Sequence, residues 1–319
     1  MPRRPASPST IVRRWTACVA TRSTSRPNAN TSVACDPPGA ERVTDHFSTG
    51  EPFVPTLATI HRYPIKSTAG SSLQRARVEE EGLAGDRRFM VVRPDGTFLT
   101  ARTHPGLQRV RAQFDGERLT LTHDVLPPVD VARREFSGHP FDTQVWADSF
   151  TATTTHTSLD EWFSDAAGEP ARLLWLGERS PRYRDAIGVR VSFADGYPLL
   201  LISEASLEDL NARTDGTHVM AQFRPNLVAT GTEPYAEDGW KRIRIGEVTF
   251  RVDAPCSRCA MVTVDPFRGE KRADKEPLKT LAGYRRGEKG KVYFGQNLVA
   301  ENSGEIQVGD TIEVLEFLS

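Results

Sequence analysis

Phe89-Met90-Val91-Val92, then Arg93-Pro94-Asp95-Gly96, then Thr97-Phe98-Leu99-Thr100 reads as two strands joined by a turn. Proline and Asp-Gly are turn residues, so the segment predicts a β-hairpin. The same grammar recurs on both sides of it. Upstream, Leu57–Tyr63 alternates imperfectly and predicts a strand. Downstream, Leu119, Leu121 and His123 alternate with Thr120 and Thr122. Further strands are predicted at Leu173–Leu176, Leu199–Ile202, Ile243–Ile245, Val248–Val252, Met261–Val264 and Ile312–Leu315.

Helices are fewer. Ser158 and Glu161 fit a capping box, followed by Trp162 and Phe163, with Gly168 and Pro170 as a stop. Ser203 is placed to cap a helix carrying Leu207 and Leu210. Pro277 suits a first helical position, with Leu278, Leu281 and Tyr284 at helical spacing and Gly287 closing. The result is a mainly β chain with a few helices (α+β). Many short strands point to barrels or sandwiches, and no regular strand–helix alternation supports a doubly wound sheet. No repeat of solenoid period is present.

The chain has 319 residues, enough for about two domains. It carries 41 Lys+Arg against 42 Asp+Glu, a net charge of −1. That balance argues against broad nucleic-acid binding. No apolar run approaches the ~20 residues of a membrane span. The four cysteines, Cys18, Cys35, Cys256 and Cys259, are too few for a disulfide scaffold. A reducing, cytoplasmic compartment is expected.

Residues 1–52 differ from the rest. Arg3, Arg4, Arg13, Arg14, Arg22 and Arg26 precede the first acid, Asp36. Ser, Thr and Pro dominate, and the segment cannot bury enough apolar surface to offset chain entropy. The expectation is a disordered extension or a start codon placed too early. The Arg- and Ser-rich composition also resembles an organellar transit peptide.

Several segments carry chemistry. Pro255-Cys256-Ser257-Arg258-Cys259 sets two thiols around a guanidinium, which could hold a thiolate charged. Thiolates select soft metals. A zinc ribbon would need two more ligands, and no histidine follows the pair. A thioredoxin-like pair would open a helix, whereas Pro255 and a β-rich stretch flank this one. Two buried, inert cysteines remain an equal reading. Tyr63-Pro64-Ile65-Lys66-Ser67 could hold an anion, or end a strand with a solvated lysine. Gly85-Asp86-Arg87-Arg88-Phe89 and Thr100-Ala101-Arg102 would meet across the hairpin, and arginine forks suit oxyanions. Surface ion pairing with Asp86 or Glu81 is the alternative. Phe223-Arg224-Pro225-Asn226 restrains an arginine, or forms a turn. Phe294-Gly295-Gln296-Asn297 permits close backbone approach to a ligand, or a strand bulge. Nucleotide-binding glycine loops and serine-hydrolase motifs are absent.

Taken in order, these segments resemble the MOSC family (molybdenum cofactor sulfurase C-terminal-like domains), in the branch of amidoxime-reducing components and bacterial relatives. Phe193-Ala194-Asp195-Gly196-Tyr197-Pro198, Ser203-Glu204-Ala205-Ser206-Leu207, Tyr235-Ala236-Glu237-Asp238, Val264-Asp265-Pro266 and Lys275-Glu276-Pro277-Leu278 join the match, which runs from about Thr56 to the C-terminus. The resemblance implies two β-barrel-like domains, an N-terminal barrel at 53–172 and a MOSC domain at 173–319. It implies a molybdenum–pterin cofactor with Cys259 as metal ligand. Lys66, Ser67, Arg87, Arg224 and Ser257 would hold its phosphate and pterin. Asn297 and Tyr197 stand where the mitochondrial proteins carry other residues, and Asn297 is kept as a cofactor contact.

The activity this implies is reduction of N-hydroxylated compounds. Some bacterial relatives carry an iron–sulfur domain that needs four cysteines. No cysteine follows Cys259, so no such cluster is expected in this chain. Electrons would come from a separate ferredoxin- or flavoprotein-type donor. The other readings are a sulfur carrier using Cys256 or Cys259, and a molybdenum-cofactor carrier.

Overall fold

The predicted hairpin forms, but its second arm is short. In the computed structural model, which describes residues 54–319, Phe89–Val92 is a fully buried strand. The turn closes through Arg93 N to Thr97 O at 2.8 Å and Gly96 N to Arg93 O at 2.9 Å. Beyond it, only Val92 and Phe98 pair as an isolated bridge. Phe89–Val92 spends its other edge on Arg172–Trp175, in a four-stranded sheet with Asp148–Thr154 and Pro140–Val145.

The largest sheet has eight strands and forms a half-barrel. In chain order they are β1 (Thr56–Arg62), β2 (Ser71–Leu73), β3 (Leu199–Ser203), β4 (Leu227–Thr230), β5 (Trp240–Ile245), β6 (Val248–Arg258), β7 (Val292–Ala300) and β8 (Ile312–Phe317). Their spatial order is β2-β1-β4-β3-β7-β6-β5-β8. Only β3 and β4 run parallel, as their helical connection requires. Leu57, Leu201, Phe250 and Leu298 share one core inside this sheet. A second core gathers Phe89, Leu119, Phe163 and Leu173.

Four helices are present among the described residues. In α1 (Thr157–Ala167) the cap is His156, whose Nδ1 accepts from Ser158 N at 3.2 Å. The expected Ser158 lies instead in the first turn. Gly168 ends the helix at φ 72°, a conformation glycine adopts without strain. Ser203 caps α2 (Glu204–Ala212) as expected, accepting from Ser206 N at 3.1 Å. The short α3 is Met220–Phe223. Pro277 directly precedes α4 (Leu278–Tyr284), which ends before Gly287.

One predicted strand is absent. Ala260–Thr263 is a 3₁₀ turn, not part of a strand at Met261–Val264. Local bonds win there: Val262 N reaches Cys259 O at 3.2 Å, and Thr263 Oγ1 donates to Ala260 O at 2.8 Å. Such side-chain bonds compete with a sheet ladder. Residues 1–52, read above as an extension, lie outside the described residues. Among the described residues, no helix is long and apolar enough to cross a membrane.

Candidate functional site

The end of β6, the middle of β7 and the segments after β1 and α3 converge on a cleft of about 760 Å³. All seven residues singled out from the sequence line it: Lys66, Ser67, Arg87, Arg224, Ser257, Cys259 and Asn297. They come from positions up to 231 residues apart, so the fold alone brings them together.

Lys66 is fixed by the buried strand Phe89–Val92. Its N–H donates to Phe89 O at 2.9 Å. Only 7 % of its side chain is exposed. Nζ donates to Phe193 O at 2.8 Å and pairs with the Asp195 carboxylate. Burial lowers the Lys66 pKa to about 8, against the pull of Asp195. Burial also raises that of Asp195, but Lys66, Arg102 and Trp146 outweigh it and hold the carboxyl well below the usual range.

Arg87 and Arg224 share one aromatic platform. Their guanidinium carbons lie 4.8 and 4.2 Å from the Tyr63 ring centre. Cation–π attraction offsets part of their mutual repulsion. Arg87 also pairs with Asp86 and donates to Asn226 Oδ1 at 3.1 Å. Arg224 donates through Nη1 to Thr68 O. Its Nη2 is buried and has no hydrogen-bond partner. Burial lowers the Arg224 pKa to about 10 and raises that of Tyr63 to about 12.

Backbone strain concentrates here. Ser67, Arg87, Trp146 and Arg224 have φ of 70°, 49°, 57° and 56°. Seven non-glycine residues adopt positive φ among the described residues, and these four line the cleft. Strained backbone clusters where side chains must be aimed.

The two thiols are unequal. Cys259 is exposed, whereas Cys256 packs partly against the core of Phe223 and Phe294. Burial pushes the Cys256 thiol up, more than Arg258 pulls it down. Arg258 is committed elsewhere: Nε donates to Phe294 O at 2.8 Å and Nη1 to Phe223 O at 3.0 Å. It clips β6 to its neighbours. The guanidinium that donates to Cys259 is Arg102, with Nη1 3.8 Å from Sγ. Arg102 stacks on Trp146 at 4.2 Å, and Trp146 Nε1 donates to Asp195 Oδ1 at 3.1 Å. Ser257 sits beside a bulge in the β6–β7 pairing. Asn297 Nδ2 donates to Pro255 O at 3.4 Å.

Other expectations resolve differently. Arg88 does not join Arg102; it pairs with Glu81 and donates to Gly177 O. Gly295, at φ 77°, admits a neighbouring strand: an added Cβ would lie 2.7 Å from Leu201 O. Tyr197 donates to Asp253 at 2.7 Å. Trp146 and Asp195 were not singled out. Asp195 lay inside a motif quoted for the resemblance, while Trp146 carries no sequence signal. No group of three or more His, Cys, Asp or Glu suited to a metal occurs among the described residues.

Two family models match in tandem: the MOSC N-terminal beta barrel domain over residues 54–170 and the MOSC domain over 188–313. The chain belongs to the MOSC family. Human mitochondrial amidoxime-reducing component 1 is 33 % identical over 285 residues, 82 % of this chain and 83 % of that protein. Molybdenum cofactor sulfurase of Solanum lycopersicum is 33 % identical over 82 % of this MOSC chain but only 35 % of its own length. The YUAD protein of Bacillus subtilis aligns over 82 % of this chain and 94 % of its own at 8 % identity, TM-score 0.38.

The cleft of this MOSC chain fits a phosphate-bearing metal cofactor by its donor set. Arg224 Nη2 is an orphaned donor on a group charged at neutral pH, and two guanidinia crowd one ring. An anion satisfies the first and relieves the second. Cys259 offers one soft ligand at the exposed edge. A lone protein ligand suffices only if the cofactor supplies the rest.

Proposed function

We propose that the chain is a molybdenum-cofactor-dependent oxidoreductase that cleaves the N–O bond of N-hydroxylated compounds. The balanced reaction converts R–NHOH, two electrons and two protons to R–NH₂ and water. The observation that carries the reading is one exposed thiol, Cys259, in a cleft that also holds an unpartnered guanidinium nitrogen. The names of two relatives support it, one an amidoxime-reducing component and one a molybdenum cofactor sulfurase. Amidoximes are N-hydroxylated compounds.

When bound, molybdenum supplies reversible redox chemistry and an acceptor for oxygen. The chain's residues supply the rest. Arg87 and Arg224 hold the phosphate by charge-assisted bonds. Lys66 adds a buried cation, and Ser67, Ser257 and Asn297 add polar contacts. Cys259 anchors the metal. Asp195 stays ionised at neutral pH and fixes Lys66 rather than donating a proton. Electrons come from a separate donor protein, in a reducing, cytoplasmic setting.

The test is molybdenum content and turnover of an N-hydroxylated amidine, measured on the native protein and on Cys259→Ala. Native protein carries about one molybdenum per chain, the one metal that Cys259 can anchor. The variant loses turnover. Full turnover in Cys259→Ala, or native protein that carries labile sulfur and no molybdenum, overturns the reading.

A further inference from the structure

The chain leaves the cleft wall at Val262 and returns to it at Lys291. Between them lies an unusually charged excursion. Residues 264–291 hold nine lysines and arginines and five acids, an excess of four positive charges in a chain of net charge −1. Arg272 and Arg285 are ion-paired, to Asp274 and Asp238. Arg268, Lys271, Lys275, Lys279, Arg286 and Lys289 are exposed and form no ion pair among the described residues. Like charges left unpaired on one excursion cost self-repulsion, which an oppositely charged partner removes.

An apolar anchor sits among them. Phe267 is 70 % exposed, in the turn between Val264–Asp265 and Glu270–Lys271. The turn is built: Asp265 Oδ1 accepts from Phe267 N and Arg268 N at 2.9 Å each, and Gly269 N reaches Asp265 O at 2.9 Å. The hairpin is tied to the Cys259 side by Arg272 N to Thr263 O at 2.9 Å. A fixed, exposed aromatic on the same excursion as six exposed, unpaired cations offers one apolar contact and a steering charge to a docking partner.

We propose that this face docks an acidic electron-donor protein, with Phe267 as the apolar contact and the six cations steering approach. The proposal rests on the oxidoreductase reading. Five interspersed acids break the positive field, which suits a patterned protein surface better than a uniform polyanion. The apolar anchor needs a pocket, which a protein provides. Docking here sets the donor beside the segment that continues from Cys259.

The test uses full-length, cofactor-loaded protein and reduced plant-type ferredoxin as an acidic donor. The triple variant Arg268→Glu/Lys271→Glu/Lys289→Glu is expected to raise KM for ferredoxin roughly tenfold or more at low salt. The gap closes as salt rises. Turnover with saturating reduced benzyl viologen stays at the native level, because none of the three lines the cleft. Phe267→Ser weakens ferredoxin binding without changing its salt dependence. An unchanged KM in the triple variant overturns the proposal. So does tighter binding of the native protein to phosphatidylserine vesicles or single-stranded DNA than to ferredoxin at the same salt. If native protein fails to turn over with viologen, the oxidoreductase reading falls. Calorimetry of ferredoxin binding, native against variant, then decides the docking surface alone.

Discussion

Replacing Lys66 by methionine isolates a strongly perturbed cation of the cleft. The side chain is 7 % exposed, and burial lowers its pKa from 10.5 to about 8. The unfolded chain therefore holds this proton more tightly than the folded one. Between pH 8 and 10.5 the unfolded state binds more protons, so stability contributed by this group rises with pH. The gap of about 2.5 pH units corresponds to roughly 3 kcal/mol at about 1.4 kcal/mol per unit. Tyr63 and Tyr197, both raised to about 12, titrate with the opposite sign at higher pH. A difference measurement cancels them. Urea unfolding of native protein and Lys66→Met at a series of pH values gives that difference. Native protein should gain roughly 3 kcal/mol on the variant between pH 8 and 10.5. A flat difference would mean that Asp195 fully compensates burial, and it would refute the argument. Inorganic phosphate adds a control: an anion in the cleft favours charged Lys66 and should flatten the native curve.

Two further outcomes follow from the same geometry. Gly295→Ala combines a left-handed backbone penalty of about 1–2 kcal/mol with overpacking of about 1–3 kcal/mol. The new Cβ would lie 2.5 Å from Ile202 Cγ1. Loss of about 3 kcal/mol lowers Tm by roughly 6–12 °C, read by calorimetry, and an unchanged Tm refutes the packing account. Arg224→Met removes the orphaned donor and should cost roughly tenfold or more in phosphate affinity of cofactor-free protein. Equal phosphate binding by native and variant proteins would show that Arg224 faces no anion.

Strand positions were readable because turn chemistry is local. Pro94-Asp95-Gly96 closes the predicted turn, and Ser203 caps α2 through its own hydroxyl. Failures came where a group other than the expected one took the backbone bond. His156 captured the α1 cap because its ring reached Ser158 N first. The segment at Met261–Val264 has strand composition, but Gln222 Nε2 takes Val262 O at 3.0 Å, and the Cys259 turn removes the ladder. The site shows the same division. Its residue types were legible from charge and thiol chemistry. Their partners were not: Arg258 adjoins the cysteines in sequence yet bonds to backbone, while Arg102, 157 residues away, meets Cys259. Adjacency along the chain is a poor guide to which cation faces a thiol.

The four strained residues of the cleft give a physical reason for this arrangement. Holding a non-glycine residue at positive φ costs of order 1–3 kcal/mol and persists only if neighbours over-determine it. Here they do. Gln108 Nε2 donates to Ser67 O at 2.6 Å, Arg87 N donates to Tyr63 O at 2.6 Å, and Arg224 is clamped to Thr68 O. Trp146 is tied to Asp195, which is tied to Lys66. Each strained backbone thus places a cation, a hydroxyl or the ring that carries Arg102. Free of ligand, the cleft bears both costs at once, bent backbone and crowded like charge. Neither improves the fold of an empty protein, since an ordinary extended backbone would carry the same side chains away from one another. Both become useful when a multiply charged anion fills the cleft, because its partners are already in position and little further ordering is required. The strain and the repulsion therefore argue for the same occupant, independently of any thiol.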